Sequence, residues 1–326
     1  MNKNQKTLKQ SIMTSPGPTT PKEGAFLFFK GVCMGTADII PGVSGGTIAL
    51  ITGIYTDLLD AIKSVNINFI KNLARFNLKE AISIIHIRFL VALLSGIGLA
   101  IMSLSHLMNY LLKSHPVPTW SLFLGLIAAS IIILAKKVEE WFWKTWLAFL
   151  IGTFLGYYIV GMIPVETPNT MLFIFFSGMI AICAMILPGI SGAFLLLILG
   201  KYELIISCLK NPFVIDNLFV IFIFAGGCIV GITGFSRVMS FLLKNYYSVT
   251  ISLLTGLMLG SMRKIWPWKI TTETKEIAGK IYVISEKNIL PQSIDKLVIF
   301  ACILALIGFM LVFIIEKTAN IKGIKK

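Results

Sequence analysis

Charge is scarce in this chain of 326 residues. Asp, Glu, Lys and Arg make up 13% of it, against 56% hydrophobic residues, and mean hydropathy is +0.86. That balance excludes an ordinary soluble globular domain. The five cysteines (Cys33, Cys183, Cys208, Cys228 and Cys302) show no metal-type spacing, so their expected role is packing as small apolar groups. No metal and no cofactor are expected. A basic groove interleaved with aromatics is missing, so nucleic acid is not an expected partner despite the formal charge of +14. Residues 1–23 lack the apolar core of a signal peptide and read as a mobile cytoplasmic tail.

Long apolar runs are abundant. They cover residues 89–112, 120–135, 146–163, 171–187, 193–199, 218–243, 249–259 and 297–315. Several reach the roughly 20 residues that a helix needs to cross a hydrocarbon core. The expected class is an all-α polytopic membrane protein. Basic residues lie mainly between the runs and at the termini, as the positive-inside rule requires of cytoplasmic segments. The six tryptophans, Trp120, Trp141, Trp143, Trp146, Trp266 and Trp268, fall near run ends, as an interfacial belt does.

One string occurs twice inside this apolar sequence. Pro41-Gly42-Val43-Ser44-Gly45-Gly46 returns as Pro188-Gly189-Ile190-Ser191-Gly192-Ala193, at an offset of 188 − 41 = 147. The same offset matches Gly31 with Gly178, Gly53 with Gly200, Tyr55 with Tyr202 and Lys63 with Lys210. Further on, an offset of 244 − 113 = 131 pairs Lys113 with Lys244, Thr119 with Thr250 and Gly125 with Gly256. The first half therefore carries 147 − 131 = 16 extra residues. They fall in 64–87, a basic amphipathic stretch suited to lying at the cytoplasmic interface.

The chain reads as two repeats, 24–163 and 171–316, the second containing a polar loop at 263–296, followed by a cytoplasmic tail at 317–326. Each repeat is a broken-helix segment followed by three spans. If the broken segment re-enters, each repeat crosses three times and the two are inverted; if it spans, they are parallel. The charge pattern favours re-entrant segments and inverted repeats. The basic loop 263–296 goes against it, because inversion puts that loop outside.

Pro and Gly break helices, and two matched breaks at membrane depth mark a binding site in transporters. A helix beginning after Ser44 leaves the amides of Gly45, Gly46 and Thr47 without helical acceptors. Ser191 and Gly192 do the same in the second copy, and both ends suit an anion. Ionisable residues in apolar surroundings extend the candidate set. Arg237 and its offset partner His106 are candidates for the phosphate, Asp38 and Glu203 for proton coupling. An Asp38–Arg237 ion pair is the structural alternative.

At these residues the sequence resembles the polyprenyl-phosphate transporter family. The segment 35–47, with Asp38, Pro41, Gly42 and Ser44, is similar to its signature, and 187–193 with Gly200-Lys201-Tyr202-Glu203 is similar to the second copy. The resemblance implies a multi-pass protein of the bacterial cytoplasmic membrane, not an enzyme. Its implied partner is an anionic polyprenyl-phosphate lipid, undecaprenyl phosphate, returned from the outer to the inner leaflet for carrier recycling. An undecaprenyl pyrophosphate phosphatase or a carrier of another anion is the alternative. Phosphatases with a Pro-Gly-x-Ser string continue with an arginine, whereas this chain has Gly45 and Gly192 there. The sequence carries no signature of an oligomeric state.

Overall fold

The computed structural model describes residues 8–40, 43–165, 167–277 and 280–323. In chain order the first half comprises α1 (Leu8–Thr14), α2 (Pro21–Ile39), α3 (Gly45–Ile51), α4 (Tyr55–Ser64), α5 (Ile67–Ala74) and α6 (Leu78–Ile84). It continues with α7 (Ile87–Ser114), α8 (Pro116–Lys136) and α9 (Trp143–Val160). The second half has α10 (Met171–Ile186), α11 (Gly192–Ile198), α12 (Tyr202–Lys210), α13 (Ile215–Asn245) and α14 (Tyr247–Ile265). Two strands, β1 (Lys269–Ile277) and β2 (Lys280–Asn288), precede α15 (Lys296–Gly323).

Helix boundaries follow both sequence offsets. The ends of α2 and α10 differ by 186 − 39 = 147, the starts of α3 and α11 by 192 − 45 = 147, and those of α4 and α12 by 202 − 55 = 147. The ends of α7 and α13 differ by 245 − 114 = 131, as do the starts of α8 and α14, 247 − 116. Local chemistry sets these limits. A capping box between Thr20 and Glu23, with Pro21 in the first turn, starts α2. Gly53 and Gly200 end α3 and α11 with φ of 73° and 63°, a left-handed conformation that favours glycine.

Glycine contacts repeat the same way. A β-carbon at Gly31 of α2 would strike the Leu93 carbonyl of α7, and one at Gly178 of α10 would strike that of Phe224 on α13. In return, Gly96 faces Phe28 O and Gly227 faces Phe175 O. The third long helix of each half crosses over. Gly125 of α8 faces Ala305 of α15, and its counterpart Gly256 of α14 faces Phe149 of α9. Such close backbone approach is how helices associate where lipid removes the hydrophobic drive between them.

The helices α8 and α14 run antiparallel. Trp120 at the start of α8 lies under Lys269, just past the end of α14. At the opposite end Glu139, beyond α8, acts electrostatically on Tyr247 in the first turn of α14. By contrast α9 and α14 run parallel, Phe149 meeting Gly256 and Thr153 meeting Gly260.

Among the described residues, four helices are long and apolar enough to cross a membrane: α7, α8, α13 and the 296–314 part of α15. Joined as one span, α11 and α12 would make a fifth, but they bend by 111°. Six spans were expected, and α9 and α14 fall short in apolarity rather than length. For α14 the cause is enclosure: Thr250, Ser252, Thr255 and Ser261 are buried in protein, each hydroxyl donating to a carbonyl of its own helix. The chain is a multi-pass membrane protein.

The fold is mostly helical, as expected, with one addition: β1 and β2 form an antiparallel hairpin pairing Lys269 with Asn288 and Ile277 with Lys280. Within the expected polar loop, the β-branched and aromatic content of 269–288 suits a strand pair. The described residues of the N-terminal segment, 8–23, also carry structure. The helix α1 packs against α6, and Ser15 Oγ donates to Ile85 O at 2.9 Å and accepts from Ile87 N at 3.0 Å. Arg88 Nε donates to Ser15 O at 2.8 Å, so the segment is tied down by buried polar contacts. The extra residues of the first half form α5 and α6. Both carry exposed apolar side chains, among them Ile67 and Ile70 on α5 and Leu78 on α6.

Candidate functional site

The two helix breaks meet in one buried joint. Across it, the Gly189 amide donates to Thr47 Oγ1 at 3.0 Å. Ser44 Oγ donates to Met185 O at 3.2 Å, and Tyr55 Oη donates to Ile186 O at 3.2 Å. Ser44, Thr47 and Tyr55 are nearly or fully buried. The carbonyls of Met185 and Ile186 belong to the last turn of α10, which has no helical donors left for them. The first break thus satisfies the second. A side chain at Gly46 would sit 2.5 Å from Ile186 O, so only glycine lets the two backbones close.

Asp38 is part of this joint in a way the spacing did not suggest. Its Oδ1 accepts the Gly45 amide at 2.7 Å, and a β-carbon at Gly45 would lie 2.5 Å from Oδ2. Ser44 Oγ accepts the Gly46 amide at 3.1 Å, and the Thr47 amide donates to Ser44 O at 2.9 Å. The amides expected to be open to an anion are therefore capped from within. A carboxylate at this place is the kind of group that the start of α3 favours. The Asp38–Arg237 ion pair is not among the ion pairs of the described residues.

The second break differs. Met185 stands at the position equivalent to Asp38, and Ser191 makes no side-chain cap at the start of α11. Gly189 has a φ of 84°, and a side chain there would meet Ser261 Oγ and Met258 Cα of α14. Pro188 and Gly189 are buried. Pro41 and Gly42 lie outside the described residues.

Not every candidate residue comes to the joint. Arg237 is exposed on α13, with Nη1 donating to Thr233 O of its own helix at 2.8 Å. His106 is exposed on α7, and Glu203 is half-buried in the first turn of α12. None of their described contacts reaches the breaks.

Two lysines went unremarked as structural groups. Lys30 Nζ donates to Thr52 O at 2.8 Å, at the C-terminal end of α3. Lys201, 1% exposed, donates to Thr167 O at 2.6 Å and Asn169 Oδ1 at 2.7 Å, and Thr167 Oγ1 in turn donates to Leu199 O at the end of α11. The carbonyls of Thr52 and Leu199 correspond at the offset 199 − 52 = 147, and each is satisfied by a different partner. A lone Lys30 within an apolar stretch was the available signal.

A family model described as "Undecaprenyl phosphate translocase-like" matches residues 34–282, which include both breaks. The chain belongs to that family. It is 39% identical over 300 residues to the polyprenyl-phosphate transporter of Vibrio cholerae serotype O1, covering 90% of this chain and 96% of the relative. To the polyprenyl-phosphate transporter of Staphylococcus aureus it is 32% identical over 252 residues, 73% of this chain and 84% of that one. No solved structure matches. Both relatives and the family are named for transport rather than hydrolysis, in keeping with a membrane protein that is not an enzyme.

Proposed function

We propose that this protein returns undecaprenyl phosphate from the outer to the inner leaflet of the bacterial cytoplasmic membrane, recycling the lipid carrier. The phosphate headgroup passes the joint between the two breaks while the prenyl tail stays in lipid. The observation that carries this reading is the joint itself, in which Thr47 and Ser44 of one half close on Gly189 and Met185 of the other. The names of the family and of both relatives support the substrate.

Alternating access by inverted repeats is the proposed mechanism. It is supported by the antiparallel course of α8 and α14, which correspond in sequence, and by the exchange of α9 and α15 between halves. Rocking one half against the other opens the joint toward one leaflet at a time. In the closed joint Asp38 and Ser44 hold the α3 amides, so we assign first contact with the phosphate to Ser191 and Gly192. Gly45, Gly46 and Thr47 join once the Asp38 carboxylate leaves, and a proton on Asp38 is what releases it. That exchange makes Asp38 the coupling group. Arg237 and His106 have no assigned contact in this conformation, and Glu203 on α12 is the alternative coupling group.

The test is leaflet-resolved measurement of undecaprenyl phosphate in cells depleted of the protein. Outer-leaflet accumulation is expected. An unchanged leaflet distribution, or accumulated pyrophosphate with little monophosphate, would overturn the reading.

A further inference from the structure

A cavity of about 700 Å³ with a mixed polar and apolar lining lies apart from the joint, among the ends of α9 and α14, the first half of α8 and the hairpin. Tyr157, Arg263, Trp266, Glu286 and Lys287 line it, together with apolar groups such as Leu124. Cations outnumber anions there. Lys264 and Lys269 stand at its edge, and Glu286, the one carboxylate among the described lining residues, is engaged with both at 3.1 and 3.5 Å. Arg263 has no carboxylate partner among the described residues. Its guanidinium carbon lies 4.4 Å from the Tyr157 ring centroid, and Nη1 fills the space where a side chain at Gly161 would go. The wall is fixed by Trp266 Nε1, which donates to Ile289 O at 2.8 Å.

Position connects this cavity to the second break. Lys264 Nζ lies 5.1 Å from the ring centroid of Phe194, in the first turn of α11 and three residues beyond Ser191. The basic residues involved also belong to the segment that breaks the charge rule. With inverted repeats 263–296 faces outward, where topology alone does not retain lysine and arginine. A concentration of positive charge on that face calls for another cause, and a cavity flanked by Arg263, Lys264, Lys269 and Lys287 supplies one.

We propose that this cavity captures a dianionic phosphate group, taken from a prenyl-phosphate lipid on its way to the second break. The inference rests on the transport reading above. Arg263 and Lys287 hold the phosphate oxygens, the guanidinium in a two-point geometry that lysine cannot offer. Leu124, Tyr157 and Trp266 give the first prenyl units an apolar wall. The volume falls within the range of small-molecule sites and exceeds what a bare phosphate needs. Inorganic phosphate shares the headgroup chemistry but lacks the tail.

The test uses the full-length protein in nanodiscs, with geranylgeranyl phosphate, geranylgeraniol and inorganic phosphate as probes and tryptophan fluorescence as readout. Wild type should bind geranylgeranyl phosphate with an affinity that falls as salt rises. The double variant R263Q/K287Q should lose about tenfold or more, and R263K should lose less. Melting curves matching wild type establish that the variants fold, and a variant that does not match is replaced by K287Q alone. Unchanged affinity in the variants, equal binding of the alcohol, or displacement by inorganic phosphate at equal concentration would each overturn the proposal. Normal binding by variants of a protein that still moves lipid in cells ends the capture proposal and leaves transport standing. Lost binding with an unchanged leaflet distribution on depletion upholds the cavity and ends the transport reading.

Discussion

Replacing Thr47 by valine tests the joint with little change of shape. Thr47 is fully buried, and its Oγ1 is the acceptor for the Gly189 amide, 142 residues away in sequence. Valine keeps the β-branch and nearly the volume but leaves that amide buried without a partner. Such a loss costs about 1–3 kcal/mol, so the closed joint should open about 5 to 150 times more often. Hydrogen exchange of peptides spanning 186–192, read by mass spectrometry on protein in nanodiscs, measures that opening directly. Thr255→Val is the control. Thr255 is also fully buried, but its hydroxyl only donates to Ile251 O within α14, so no donor is orphaned. Exchange at 186–192 in T47V equal to that in T255V would refute the reasoning.

Further expectations concern charge, packing and pH. Asp38→Asn should abolish the dependence of transport on a pH gradient while leaving the fold intact; proteoliposome flux that keeps its gradient dependence would remove Asp38 from coupling. Gly96→Ala and Gly227→Ala should each destabilise by about 1–3 kcal/mol, because the added methyl meets a backbone carbonyl in equivalent helix pairs. Thermal unfolding in which only one variant shifts would contradict the structural equivalence of the halves. Burial pushes Lys269 down to about 8, with Glu286 opposing the shift. Between that value and the usual lysine value of about 10.4 the unfolded chain binds more protons, so stability should rise from pH 8 to pH 10. Burial also pushes the Glu286 carboxyl up, but Lys264 and Lys269 outweigh it and hold it below its ordinary value. Glu286→Gln should therefore move the Lys269 midpoint below 8, as NMR titration of labelled lysine would report.

Much of this architecture was legible because it is written in backbone punctuation. Matched Pro and Gly residues at offsets of 147 and 131 translate into matched helix ends, since each break acts on its own few residues. The hairpin was missed because its strands carry too many charges to stand out in an apolar chain. The α1 segment was missed because burial of Ser15 depends on partners about 70 residues away. Asp38 was flagged by its cost in an apolar setting, but its partner was not foreseen. An ion pair with Arg237 was the structural alternative, whereas the capping geometry of α3 gives the carboxylate to Gly45.

What the sequence determined by itself is therefore local and periodic: membrane character, two repeats, two breaks and the residues that make them. Hydropathy and helix-breaking act within a few residues of each position, so they do not depend on the rest of the fold. Tertiary structure decided which unsatisfied groups meet. The amides of α3 turn inward to Asp38 and Ser44, the carbonyls that end α10 are held by Ser44 and Tyr55, and Lys264 reaches Phe194 of α11. The pairings that cross the joint connect residues far apart in the chain. Only the packing of glycine-lined helices, which fixes how closely backbones approach, could select them.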